Sequence, residues 1–374
     1  SVLRKQAAAA YRITDCVKLR AIATTALEHC RTLNDALGIA DASYYLGFSL
    51  ERLNELDMAL PRLRESLEIR RTHADDAGAV LCLERIGIIQ VRTHQDQEAL
   101  STLGEAVAIA SRSGDQLGLA IALDAVGYTH SELSDFAKAA DAFSEAIAIA
   151  RNIGWKGGLA TILVSMGNLK MRLGDLREAE QLLQESVSTA RHVRDRWRLA
   201  TSLETLGECF QIQSNLQEAA SALEEAYLLW HELSQQGPAE WVASALVKLK
   251  RTQGDWDGEL FWEDTILTAC RSQKKYLELA DHLQQKGEIM LRMQRFDEVA
   301  LYFEAAMQTR WENGYFPNWK WEELRRQLCA IPKTTMKWER RLPLLSDLKK
   351  LQRRQPQLGT ASLWLPIPIG RGES

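Results

Sequence analysis

The sequence predicts an all-α fold of antiparallel helix pairs stacked into one array, and three observations carry that prediction. Glycine recurs every 40 residues, as Gly47, Gly87, Gly127, Gly167 and Gly207, gives way to Val247, and returns at Gly287. Other columns keep the same step. Ala59, Ala99, Ala139, Ala179 and Ala219 follow each glycine by twelve residues, with Val299 closing the series; Leu63, Leu103, Phe143, Leu183, Leu223 and Phe303 come four residues later. The composition suits helices as well, with 8 Pro in 374 residues and an abundance of Ala, Leu and Glu, side chains that lose little conformational freedom in a helix. A fixed period of this length marks a repeat architecture, in which each unit buries its apolar face only against its neighbours.

The elements follow in order. Residues 1–33 read as a partial leading pair, with Ala7 in the glycine column and Leu19, Ala23 and Ala26 on the second helix. Residues 34–316 hold seven units of 40 residues, each a helix A carrying the glycine and a helix B carrying the alanine. In the unit around Gly127 the apolar spacing predicts helix A over about 117–132 and helix B over about 136–152. Polar links such as Leu133-Ser134-Asp135 and Leu173-Gly174-Asp175 join A to B, where Asp can cap the next helix; Gly114-Asp115 and Arg194-Asp195 join B to A. The glycine has a packing cause, since a missing side chain lets the paired helices approach and the Leu or Phe then fills the remaining gap. The unit at 236–275 is degenerate: Val247 replaces Gly, and Glu259 and Glu263 stand where Ala and Leu or Phe belong. Trp256, Phe261 and Trp262 are expected to compensate there. Residues 317–355 read as basic capping helices, one over 319–330 and one over 335–355, with eight Lys/Arg against two acids in 333–354. The stretch 356–374 is a Pro-containing tail that regular helix cannot include.

The order Gly127, Ala139, Phe143, Ala146 resembles the signature of the tetratricopeptide repeat family, and the resemblance covers roughly residues 35–310. It implies a right-handed superhelical solenoid. The 40-residue variant is similar to the arrays of LGN/Pins scaffolds, kinesin light chains and the sensor arrays of STAND signalling ATPases of the maltose-regulator type.

Charge and motifs exclude several classes. The net charge of −4 gives no global pull toward nucleic acid or anionic membrane. Six scattered cysteines without a C-x-x-C pair read as thiols of a reducing compartment, cytoplasmic or nuclear, rather than as a disulfide framework. The seven histidines show no metal-ligand spacing, so no metal or other cofactor is expected. No phosphate-binding G-x-x-x-x-G-K-[ST] occurs, and Gly154, Gly157 and Gly158 lie in a B-to-A link, where they read as a turn. No catalytic constellation stands out, which argues against an enzyme; an active site assembled across units ranks third among the functions considered.

The resemblance places a binding groove on the A helices, at positions three before the glycine and one, four and five after it. Carried over, these include Tyr44, Phe48 and Arg52; Glu84, Ile88 and Arg92; Asp124 and Tyr128; Val164, Asn168 and Arg172; and Glu204 and Glu208. Tyr44, Phe48, Ile88 and Tyr128 would form an aromatic-apolar stripe flanked by Arg52, Arg92 and Arg172. Such a surface suits a protein or peptide with apolar anchors and acidic groups. The opposing reading has the stripe packing between A helices and the arginines pairing with Glu51 and Glu84. The family's carboxylate clamp of Lys and Asn is absent, and Asn follows the glycine once, at Asn168. The functions implied are a protein-interaction scaffold or, alternatively, the regulatory array of a STAND-type ATPase or transcription regulator. The segment Leu363–Ile369 is a candidate to lie in the array's own groove.

Overall fold

The computed structural model describes residues 16–314, which contain fifteen helices and no strand. They are α1 (Cys16–Thr32), α2 (Ala36–Arg52), α3 (Leu56–Thr72), α4 (Asp76–Arg92), α5 (Asp96–Ser113), α6 (Gln116–Glu132), α7 (Phe136–Asn152) and α8 (Lys156–Leu173). Then come α9 (Leu176–His192), α10 (Arg196–Ile212), α11 (Leu216–Glu232), α12 (Gln236–Gln253), α13 (Trp256–Gln273), α14 (Tyr276–Arg292) and α15 (Phe296–Glu312). Even-numbered helices are type A and odd-numbered ones type B. The expectations for Ala7, for the helices at 319–330 and 335–355 and for the tail fall outside the described residues. By packing density the chain divides into two units, one up to Ala245 and one from Leu246.

The turns explain the regularity. Every twentieth residue from Asn34 to Gly314 has positive φ and ends a helix in the left-handed conformation. Five of these are glycine; the others include Ala74, Arg194 and Lys274, whose Cβ makes that conformation costly. Several of the helices that follow start on an aspartate: Asp35, Asp75, Asp115, Asp195 and Asp255 each accept a hydrogen bond from the backbone N–H three residues on, at 2.9–3.0 Å. Asp135 reaches Lys138 N only at 3.5 Å, and Asp175, expected to cap α9, makes no such bond. A second glycine column, at Gly38, Gly78, Gly118 and Gly158, lies at the third helical residue. A Cβ at Gly78 would overlap Arg70 and Asp75, and one at Gly158 would overlap the Trp155 ring. Gly154 itself is the left-handed residue of its turn.

The main glycine column is a seat for one large side chain. A Cβ on Gly47, Gly87, Gly167 or Gly207 would come within 2.8 Å of the leucine of the paired helix, and one on Gly127 or Gly287 within 2.6 Å of a phenylalanine ring. The leucine or phenylalanine therefore does not fill a leftover gap; it rests directly on the glycine.

In the second unit the broken columns are repaired by charge. Glu259 and Glu263 are both fully buried. Glu259 accepts from Arg251 at 2.6 Å and from Arg292 at 3.1 Å, and Glu263 lies 2.8 Å from His282 Nδ1. The aromatic compensation expected from the sequence is partial: Trp262 is buried and Trp256 lies under the Arg292 guanidinium at 5.0 Å, but Phe261 faces solvent.

Candidate binding groove

Within the first unit, α2, α4, α6 and α8 each pack against the next A helix as well as against their B partners. Successive B helices are bridged by long side chains instead. Arg31–Glu65, Arg71–Glu105, Arg151–Glu185 and Arg191–Glu225 form an exposed ladder of ion pairs at 2.5–2.8 Å, all 34 residues apart. The rung at Ser111 and Glu145 is missing. The closer A helices make the inner face.

The residues expected on that face divide. Tyr44 and Phe48 are buried, Tyr44 edge-on to Tyr45 and Phe48 packed with Leu19 beneath the Arg85 guanidinium at 5.4 Å. Ile88 is half-buried, and Tyr128 and Asn168 are exposed. Arg92 donates to Glu51 at 3.0 Å and to Asn54 at 2.7 Å. Arg172 donates to Ser131 and Glu132 at 2.9 and 3.0 Å and covers the Phe136 ring. Both arginines thus tie their helix to the preceding A helix. Arg52 differs: its guanidinium crosses the inner face to lie 5.6 Å from the centre of the Trp197 ring, on α10.

Behind that crossing is a cavity of ≈ 1130 Å³. One wall is Phe48, Arg52 and Arg85; the other is Thr161 and Val164 of α8 with Trp197, Arg198 and Glu204 of α10. Trp230 of α11 and Pro238 and Trp241 of α12 close one end, and the turn Val193–Asp195 contributes the rim. Of the expected residues, Phe48, Arg52, Val164 and Glu204 come together here. Trp197, Trp230, Trp241, Arg85 and the run Arg194-Asp195-Arg196-Trp197-Arg198 are not among the groove positions that the sequence predicts. The signal available was that run itself, three arginines alternating with an acid and an indole.

Electrostatics follow from enclosure. Trp230 is buried, stacks edge-to-face on Trp197 at 4.6 Å, and donates its indole N–H to Glu204 at 3.0 Å. Burial still pushes the Glu204 carboxyl up to about 7, helped by the nearby charge of Glu208, whose own carboxyl burial also raises. Asp124 of α6 is raised to about 7 by burial, against the opposing effects of the Ser165 hydroxyl and Arg85; its Oδ1 has no hydrogen-bond donor. Glu84 is likewise raised by burial, although Arg85 holds it at 2.5 Å with two N–H groups.

Among the described residues no group of three or more His, Cys, Asp or Glu is placed to hold a metal ion. Cys30, Cys82, Cys209 and Cys270 are buried, and Cys16 is partly exposed. No helix among them is long and apolar enough to cross a membrane.

Comparison with known proteins agrees with this geometry. A family model described as tetratricopeptide repeat matches residues 79–152 and 158–229. No curated protein sequence matches the chain significantly. Among solved structures, the signal transduction ATPase with numerous domains (STAND) and a tetratricopeptide repeat sensor from Pyrococcus horikoshii superposes with a TM-score of 0.60 at 10% identity, over 86% of this chain and 48% of that one. The Rap conjugation gene regulator of plasmid pLS20, in complex with the Phr* peptide, gives 0.51 at 13% identity, over 78% and 76%. BtubC from P. vanneervenii gives 0.52 at 17% identity, over 59% and 92%. At these identities the likeness shows the fold alone. With the glycine seats, the left-handed turns and the paired helices in place, residues 79–152 and 158–229 match the tetratricopeptide repeat, and the described residues have the fold of a tetratricopeptide-type helical array.

Proposed function

We propose that this chain is a protein-interaction module that holds a segment of a partner polypeptide in the groove of its first unit. The observation that carries the reading is the ≈ 1130 Å³ cavity on the inner face, walled by aromatic and apolar side chains interleaved with arginines, hydroxyls and two carboxylates. A volume of that order takes several side chains of an extended or helical segment. The Rap regulator solved with the Phr* peptide supports the reading by analogy, as a helical-repeat fold holding a peptide. A second reading, a sensor array working within a larger signalling ATPase, is suggested by the STAND protein with its repeat sensor; a nucleotide-binding domain in the full-length transcript would support it.

The test is a peptide-display selection on the full chain. Enriched peptides are then titrated against Thr161→Trp, which places an indole in the cavity from an exposed position on α8. Binding lost in that variant, with circular dichroism unchanged, supports the groove. Enrichment of no peptide, or equal affinity for the filled variant, rejects it.

A further inference from the structure

We propose that the segment held in this cavity is acidic and carries a large apolar anchor: its carboxylates meet Arg52 and Arg194 at the rim, and the anchor meets Trp241. The proposal rests on the groove reading above and names the chemistry of its partner.

Five arginines line the cavity: Arg52, Arg85, Arg194, Arg196 and Arg198. Three are already answered by carboxylates. Arg85 grips Glu84, Arg196 pairs with Glu232 at 3.0 Å, and Arg198 pairs with Asp195 while donating to Thr161 at 3.0 Å. Among the described residues Arg52 and Arg194 have no carboxylate partner, and both are exposed. The carboxylates on the cavity wall, Asp195 and Glu204, are occupied by Arg198 and by the Trp230 indole. The surplus at the rim is therefore positive.

Arg52 is also posed for recognition. Its guanidinium lies over the Trp197 ring at 5.6 Å from the centroid, a cation–π contact that leaves N–H groups able to meet a carboxylate in two-pronged fashion. Trp241 supplies the apolar half. It is 61% exposed on the cavity wall beside Pro238, while Trp230 in the same lining is only 2% exposed. Packing accounts for Trp230, but it does not account for an indole left in solvent at the mouth of a cavity.

The same balance argues against nucleic acid. Polyanion binding gains affinity from many phosphate contacts, on the order of 6–10 for a typical site. Here two guanidinium groups are open, too few for a dense run of phosphates. Carboxylates spaced along a polypeptide fit that pattern.

The experiment uses the full chain and two fluorescent 12-residue probes, one alternating Glu with Leu and Phe, the other with Lys in place of every Glu, read by anisotropy. The acidic probe should bind at least about tenfold tighter than the basic one, and Arg52→Glu or Arg194→Glu should each weaken it about tenfold. Trp241→Ala should weaken it as well. Arg151→Glu, on the exposed ladder of the B helices, should leave it within about twofold. Equal or tighter binding of the basic probe, no binding of either, insensitivity to both arginine reversals, or an oligouridine that binds in the acidic probe's place would each overturn the proposal. Groove-dependent display peptides that proved neutral or basic would overturn it while leaving the interaction module standing.

Discussion

Alanine at Gly127 and alanine at Gly104 are the same chemical change on two helices of one array, and they should differ in effect by about 1–3 kcal/mol. At Gly127 the new Cβ would lie 2.6, 2.7 and 3.0 Å from three ring atoms of Phe143. Carbon atoms in good contact sit roughly 3.5–4.0 Å apart, so the ring must retreat by about 1 Å. Phe143 is 1% exposed and has nowhere to go without moving its helix. Overpacking of that kind costs about 1–3 kcal/mol, and the helical preference of Ala over Gly returns about 0.8–1 kcal/mol. The net at Gly127 is a loss of roughly 0–2 kcal/mol. Gly104 lies on the exposed face of α5, where a Cβ would meet nothing within 4 Å. Only the helical preference acts there, and the chain should gain about 1 kcal/mol. Urea unfolding at constant temperature, followed by circular dichroism, measures both. A third variant isolates the cause: in a Phe143→Ala background the seat is empty, so Gly127→Ala should turn from damaging to helpful. Should Gly127→Ala stabilise the otherwise unaltered chain as much as Gly104→Ala does, the glycine column would not be a packing requirement, and the account of why the period exists would fail.

Three further outcomes follow from the same coordinates. Ala74→Gly and Lys274→Gly remove a side chain from left-handed turns at φ 52° and 58°, so each should raise the unfolding midpoint, by about 1 kcal/mol; lower midpoints would mean those turns are not strained. Ser111→Arg supplies the missing rung opposite Glu145, 34 residues on, and should stabilise by about 0.3–0.5 kcal/mol at low salt, an effect lost in 1 M NaCl if it is electrostatic. Asp124→Asn tests the buried carboxyl, whose folded value of about 7 lies above the ordinary 3.8. Between those values the folded chain holds a proton that the unfolded chain releases, so this site's contribution is full below about 4 and falls as pH rises through 7. The Asn variant should therefore match wild type near pH 4 and exceed it by about 4 kcal/mol at pH 8; a difference independent of pH would sink the assignment.

Much of the architecture was legible because the repeat is written in side-chain volume. A glycine that must seat a leucine, a leucine that must be large and an alanine that must be small leave three columns in register. The pair of helices around Gly127 fell within a residue of expectation for the same reason. What sequence alone could not show was how Glu259 and Glu263 survive in the alanine and leucine columns. Their partners Arg251, on α12, and His282 and Arg292, on α14, each look like ordinary surface residues until the helices are paired. The cavity was hidden by curvature. Arg52 and Trp197 stand 145 positions apart, and nothing local in either helix says that they meet across the inner face.

Yet the register does explain why Arg52, and neither Arg92 nor Arg172, is left open. All three occupy the fifth position after their glycine. Arg92 reaches back 41 residues to Glu51, and Arg172 reaches back 41 and 40 residues to Ser131 and Glu132. The partner is supplied each time by the last turn of the preceding A helix, one repeat earlier. Applied to Arg52, the same steps arrive at Tyr11 and Arg12, neither of which carries a carboxylate. In the sequence, the first arginine of the series has no acid at the spacing its successors use, and its guanidinium lies over the Trp197 ring. Charge neutralised along the middle of the array and unanswered at its start is what gives the groove a polarity.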